Sequence, residues 1–193
     1  MSDAASIAAD TALLVVDVQR GFDDACWGRR NNPGMETRIA ELLDAWRGAK
    51  RPVLHARHMS TLPASPLRPG QPGNDLKPEV APRPDEPIIE KRVNSCFIGT
   101  ALDEHLRRSG IRGLVVTGLT TNHCVSTTAR MAGNLGYAVW VVSDATATFD
   151  RTGPDGVLYP AELVHAMALS DLNGEFASVA DTRALVAETK GSS

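Results

Sequence analysis

The sequence predicts an α/β domain in which a mostly parallel, six-stranded sheet is doubly wound, with helices on both faces. Three observations carry that prediction. Short strand-like apolar runs alternate with helix-like patterns, several of the runs are apolar at every position, and glycines fall where the helical patterns end. A chain of 193 residues buries the core of one such domain without disulfides or a structural metal, so residues 1–193 read as a single unit.

The strand runs are residues 12–16, 53–56, 88–89, 114–117, 139–142 and 176–179. Ala12-Leu13-Leu14-Val15-Val16 and Leu114-Val115-Val116 offer apolar side chains to both faces, which suits parallel strands covered on both sides. Between the runs, Met35, Ile39, Leu42, Leu43 and Trp46 share one helical face. Leu102 and Leu106 begin a second helix that Gly110 ends, and Gly136 closes a third that starts at Cys124. A fourth helix is expected over 160–173, stopped by Gly174, and a fifth over 181–188 with Asp181 as its cap. Residues 59–87 break the alternation. They hold eight of the twelve prolines, so they form neither a regular helix nor a central strand, and we expect a lid or a subunit-contact arm. Residues 1–9 and 189–193, small and polar, are expected to fray.

Composition excludes several functions. With 42% hydrophobic and 22% charged residues and a net charge of -3, the chain lacks the basic excess of a nucleic-acid binder, and a small molecule is the better partner. No apolar run approaches the roughly 18 residues of a membrane span. Three cysteines at irregular spacing, Cys26, Cys96 and Cys124, without a signal-like N-terminus, predict a cytoplasmic protein with reduced thiols.

Open parallel sheets bind ligands beyond the carboxyl ends of their strands. Three reactive side chains fall there. Asp17 follows the first run in LLVVDVQRGF, Lys91 follows the third in IIEKRVNS, and Cys124 follows the fourth after GLTTNH. At a helix start beside an ammonium, Cys124 is expected to favour its thiolate, with Asp17 accepting the proton as substrate arrives. Each alone has an ordinary reading: a turn-forming Asp, a solvated Lys, a buried small Cys. Their shared rim is what raises the chemical one.

VVDVQRGF, Lys91 with the following NSCFIGT, and GLTTNHCVSTTARMAGNLGYAVWVVSDATATFD together resemble the isochorismatase-like cysteine hydrolases, over roughly residues 11–179. That group includes nicotinamidases, N-carbamoylsarcosine and ureidoacrylate amidohydrolases, and streptothricin hydrolases. The resemblance implies an Asp17-Lys91-Cys124 triad and a cis peptide between Leu119 and Thr120. It further implies an oxyanion hole from the Thr120 and Cys124 backbone amides, covalent hydrolysis of a small C–N bond through a thioester without cofactor, and assembly into a homo-oligomer. It also makes Phe22 a pocket aromatic.

Trp27 is expected to cover the site, Asn122 to cap the helix or contact substrate, and His123 to contact substrate, with loop packing and general-base duty as its other readings. Nicotinamidases of the group carry an Asp-x-His metal motif, whereas His55-Ala56-Arg57-His58 has no Asp two residues before His55, so we expect no metal. Arg20, Arg29, Arg30, Arg57, Lys91 and Arg92 suggest a positive cleft for a carboxylate, which Asp23 and Asp24 dilute. The rival readings are isochorismatase-type or other acyl-bond hydrolysis, and a non-catalytic small-molecule-binding or thiol-redox protein.

Overall fold

A computed structural model describes residues 7–191; the expectations for residues 1–6, 192 and 193 lie outside it. The strands are β1 Thr11–Val16, β2 Val53–His58, β3 Ile88–Lys91, β4 Gly113–Leu119, β5 Ala138–Ala147, β6 Arg151–Thr152, β7 Leu158–Tyr159 and β8 Ser178–Ala180. The helices are α1 Met35–Gly48, α2 Leu102–Arg108, α3 Ser126–Asn134, α4 Ala161–Leu172 and α5 Thr182–Gly191. Six strands form one sheet in the order β3-β2-β1-β4-β5-β8, every neighbouring pair parallel, while β6 and β7 make a separate antiparallel hairpin. No described helix is long and apolar enough to cross a membrane.

The uninterrupted apolar run of β1 has a direct cause. Leu13 and Val15 pack with Met35, Ile39 and Trp46 of α1 and Leu185 of α5 on one face. Ala12, Leu14 and Val16 pack with Leu102 and Leu106 of α2 and Ala129 and Ala132 of α3 on the other. Alternate side chains thus enter two cores, so the strand is apolar from Ala12 to Val16.

Three elements depart from the sequence-based reading. β5 runs ten residues rather than four, because Ser143, Asp144 and Thr146 are polar yet continue beside β4 across a register shift between Val116 and Gly118. Gly118 has φ +104°, and a Cβ there would lie 2.0 Å from the Val16 carbonyl oxygen, so only glycine allows β4 this close to β1. β8 begins at Ser178, not at 176, since the Phe176 and Ala177 amides still close the end of α4 on the Leu172 carbonyl. The expected fraying is wrong at 7–9 and 189–191: Ile7 is core, its amide donates to Glu188 Oε2 at 2.8 Å, and α5 continues to Gly191. Asp181 caps α5 as read, accepting from the Ala184 amide at 2.8 Å.

The proline-rich stretch holds two short 3-10 turns, Pro72–Asn74 and Pro78–Val80, and is fastened to the body along its length. Gln19, buried, donates to the carbonyls of His58 and Asn74, and Asn74 donates to those of His58 and Leu67. Lys77 bonds Asp23 and Glu36, and Leu67 and Val80 join the core on the α1 face.

Candidate active site

β1 ends into Asp17, whose φ of 54° turns the chain out of the strand, and its carboxylate is completely buried. Lys91 closes β3 and its Nζ donates to Asp17 Oδ2 at 2.5 Å, with both side chains fully shielded from water. The same ammonium lies 3.3 Å from His58 Nδ1 and donates to the Val93 carbonyl at 3.3 Å. Beyond β4 the Leu119–Thr120 peptide is cis, and Thr121–Val125 forms a single π turn that leads into α3 and carries Cys124. A carboxylate oxygen of Asp17, a ring nitrogen of His58 and the Cys124 sulfur all lie within 4.8 Å of one another. Residues 74 and 33 positions apart therefore meet at one point.

Asp17 Oδ1 is buried and has no hydrogen-bond partner. The carboxylate thus keeps one oxygen free while lying within 4.8 Å of the thiol. The expectation of a resting thiolate is corrected: burial, and then the Asp17 charge, push the Cys124 thiol well above the ordinary cysteine range, and Lys91 only partly opposes them. Position at a helix start was legible, whereas the 8% exposure of the residue was not. Burial works against the Lys91 ammonium, but Asp17 outweighs it and the net direction is up, so this lysine stays charged. Burial and then Lys91 hold His58 below the usual histidine range, in its neutral form.

The cavity over the thiol has a volume of about 130 Å³. Phe22, Trp27 and Leu67 form its apolar walls, while Asp17, Thr120 and Cys124 form its floor. His58, Asn94 and His123 complete the lining. Phe22, Trp27 and Phe149 stack as a cluster with ring centroids 4.9 to 6.0 Å apart. The expected Phe22, Trp27 and His123 are therefore present, whereas Asn122 lines a separate groove between α3 and α4. Asn122 accepts from the Thr148 hydroxyl at 2.6 Å and lies 3.3 Å from His123 Nε2, so it braces the loop.

Leu67, Asn94 and His58 were not assigned roles from the sequence. Asn94 stood within the quoted RVNS stretch; Leu67 had no signal, since a lone leucine among prolines has no period. Another unassigned contact supports the nucleophile's turn: Thr121 Oγ1 lies 2.8 Å from His165 Nδ1. His165 Nε2 meets the Ser143 carbonyl at 3.0 Å, and because a carbonyl only accepts, Nε2 bears the proton and the threonine hydroxyl donates to Nδ1.

The positive cleft is also corrected. Arg29 pairs with Asp150 and Glu162, Arg30 with Glu36, Arg57 with Glu90 and Lys91 with Asp17. Arg20 sits with Asp24 in a different depression, and no arginine lines the cavity. His55 lies inside β2, fully buried against Glu86. A resident metal does not fit the remaining set of Asp17, His58 and Cys124, because Lys91 already places a cation on both Asp17 and His58.

The isochorismatase domain model matches residues 11–184. This chain belongs to the isochorismatase family. The hydrolase is similar to the uncharacterised isochorismatase family protein YrdC of Bacillus subtilis strain 168, at 45% identity over 91% of this chain and 94% of that protein. It is similar at 32% identity to Nicotinamidase 3 of Arabidopsis thaliana, over 72% and 74% of the respective chains. A crystal structure of an isochorismatase-family protein from Chromobacterium violaceum ATCC 12472, described as a hydrolase, superposes with a TM-score of 0.94 at 45% identity, covering 99% of this chain and all of that one.

Proposed function

We propose that this hydrolase cleaves a small-molecule C–N bond of amide, ureido, carbamoyl or lactam type through a thioester on Cys124. The observation that carries the reading is the buried Asp17 carboxylate, which keeps one oxygen unpartnered, lies within 4.8 Å of a buried thiol through one of its oxygens, and is backed by a buried lysine. Asp17 takes the Cys124 proton, and the sulfur adds to the substrate carbonyl. The tetrahedral oxyanion is received by the backbone amides of Thr120 and Cys124, two residues that line the cavity. Asp17 returns its proton to the leaving nitrogen as the C–N bond breaks. Water, deprotonated by the same carboxylate, then cleaves the thioester, releasing the acid and restoring the thiol. Lys91 keeps the charge on Asp17 and orients it.

A resting thiol suits this sequence of steps. An enzyme that ionises its nucleophile only when substrate displaces water keeps a neutral, unreactive sulfur between turnovers. Assembly into a homo-oligomer is part of the proposal, and sedimentation at micromolar concentration checks it: a monomer throughout would remove it. The function is tested by screening amides, ureido acids and lactams for ammonia release and product mass beside Cys124→Ala. Turnover by the parent that falls by about 10⁴-fold or more in the variant supports the reading. A fully active Cys124→Ala enzyme would refute it.

A further inference from the structure

The same cavity limits what its acyl half can be. Its polar groups are nearly all spent within the protein. Thr120 and Asn122 engage the two ring nitrogens of His123 at 3.2 and 3.3 Å, and the Trp27 indole N–H donates to the Gly21 carbonyl at 2.8 Å, leaving only its π face for a ligand. Lys91 lies behind Asp17, bonded to it and closed to water. Two groups remain. His58 Nδ1 faces the Lys91 ammonium, which only donates, so Nδ1 accepts and the ring proton sits on Nε2 without a partner. The Asn94 carboxamide, exposed at the rim, makes no side-chain hydrogen bond.

Charge is therefore balanced at the cavity floor, with one carboxylate against one ammonium and no further cation in the lining; Arg151, which acts on His123, stands outside that lining. A carboxylate entering the aromatic box would lose water without gaining a counter-charge, which is a heavy cost for a buried ion. Volume sets a second limit: about 130 Å³ is close to the roughly 150 Å³ of an apolar cavity that accepts benzene.

The geometry points to an uncharged acyl group no larger than a six-membered ring, whose acceptor atom is bound by His58 Nε2–H and whose charge is policed by the absence of a cation at Asn94. This selectivity rests on the cysteine-hydrolase reading above and adds the substrate class to it. His58 is a specificity residue here, distinct from the three groups that move the proton and form the thioester.

The test uses two electrophiles of nearly one shape and different charge, iodoacetamide and iodoacetate, with the labelled residue mapped by mass spectrometry. In each reaction the Cys124 sulfur bonds to the reagent's methylene, iodide leaves, and the thiol proton passes through Asp17 to solvent. After division by the ratio for free cysteine, iodoacetamide is expected to alkylate Cys124 about tenfold faster or more. Asn94→Arg supplies the missing cation on an exposed position and is expected to abolish or reverse that preference. His58→Ala is expected to slow the uncharged reagent by about threefold or more, while His58→Gln, which keeps an N–H donor, restores it. Equal or faster labelling by iodoacetate in the parent protein overturns the charge selection while leaving the nucleophile intact, and so does an unchanged ratio in Asn94→Arg. An unslowed His58→Ala removes the role given to His58. Failure of both reagents to label Cys124 overturns the hydrolase reading itself, and this inference with it.

Discussion

Two histidine-carboxylate-cation sets lie on β2 or beside it, and they have opposite characters. In one, Glu86 takes the Arg47 guanidinium on both oxygens at 2.7 and 2.8 Å, His55 at 3.1 Å and the Arg83 amide at 2.9 Å. In the other, Asp17 takes Lys91 on one oxygen and nothing on the second, and the carboxylate lies within 4.8 Å of the Cys124 thiol. Both carboxylates are shielded, at 7% and 0% side-chain exposure. The carboxylates differ in completeness, although His55 Nδ1 in the first set is itself buried without a partner. A buried carboxylate with both oxygens engaged holds β2 to the α1 face, whereas one with a spare oxygen near a thiol can accept a proton.

Removing each carboxylate charge should expose the difference. The largest effect is expected for Asp17→Asn, which takes away the proton acceptor and leaves a fully buried lysine unpaired. Turnover should fall by about 10³-fold or more and stability by about 3–5 kcal/mol, read by product release and by denaturant midpoint. Glu86→Gln should lower stability by about 1–3 kcal/mol while kcat stays within about threefold of the parent value. Matching losses of turnover in the two variants would erase the distinction between them.

Acid sharpens the same comparison. Burial works against the Glu86 charge, but the Arg47 bonds prevail and hold its pKa at about 2 against an ordinary 4.5. A folded-state value below the unfolded one contributes stability that is complete above about pH 4.5 and is lost as pH falls toward about 2. Denaturant midpoints measured across that window should fall less steeply in Glu86→Gln than in the parent; parallel curves would contradict the assignment. The smallest expected effect is that of metal removal. Dialysis against a chelator should leave turnover unchanged, because Lys91 already supplies the cation at Asp17 and His58. Loss of activity that zinc restores would reverse that conclusion.

What the sequence made legible follows from where its signals are local. The doubly apolar runs of β1 and β4 announce strands covered on both faces, and Asp17, Lys91 and Cys124 sit at strand ends, where a parallel sheet gathers its ligands. Phe22, Trp27 and His123 were reachable from their motifs and do line the cavity. Partner choice was not legible. Arg29 meets acids 121 and 133 positions away, and Arg30, Arg57 and Lys91 are likewise paired, so most of the cations read as a positive cleft are neutralised once the chain folds. The polar residues within β5 hid most of that strand for a similar reason, since the strand resumes only where Thr146 pairs with Gly118 of β4, past a register shift that spans Ser143 and Asp144. Burial of the thiol, which reverses the expected direction of its titration, is equally a property of the packed loop.

The most direct measurement of the central claim is the intact mass of the protein, quenched with acid during turnover of a substrate amide, followed by peptide mapping. The account predicts an increment equal to the acyl group, located on Cys124 and absent from Cys124→Ala. Steady product formation with an unmodified Cys124, undiminished in the alanine variant, would contradict it.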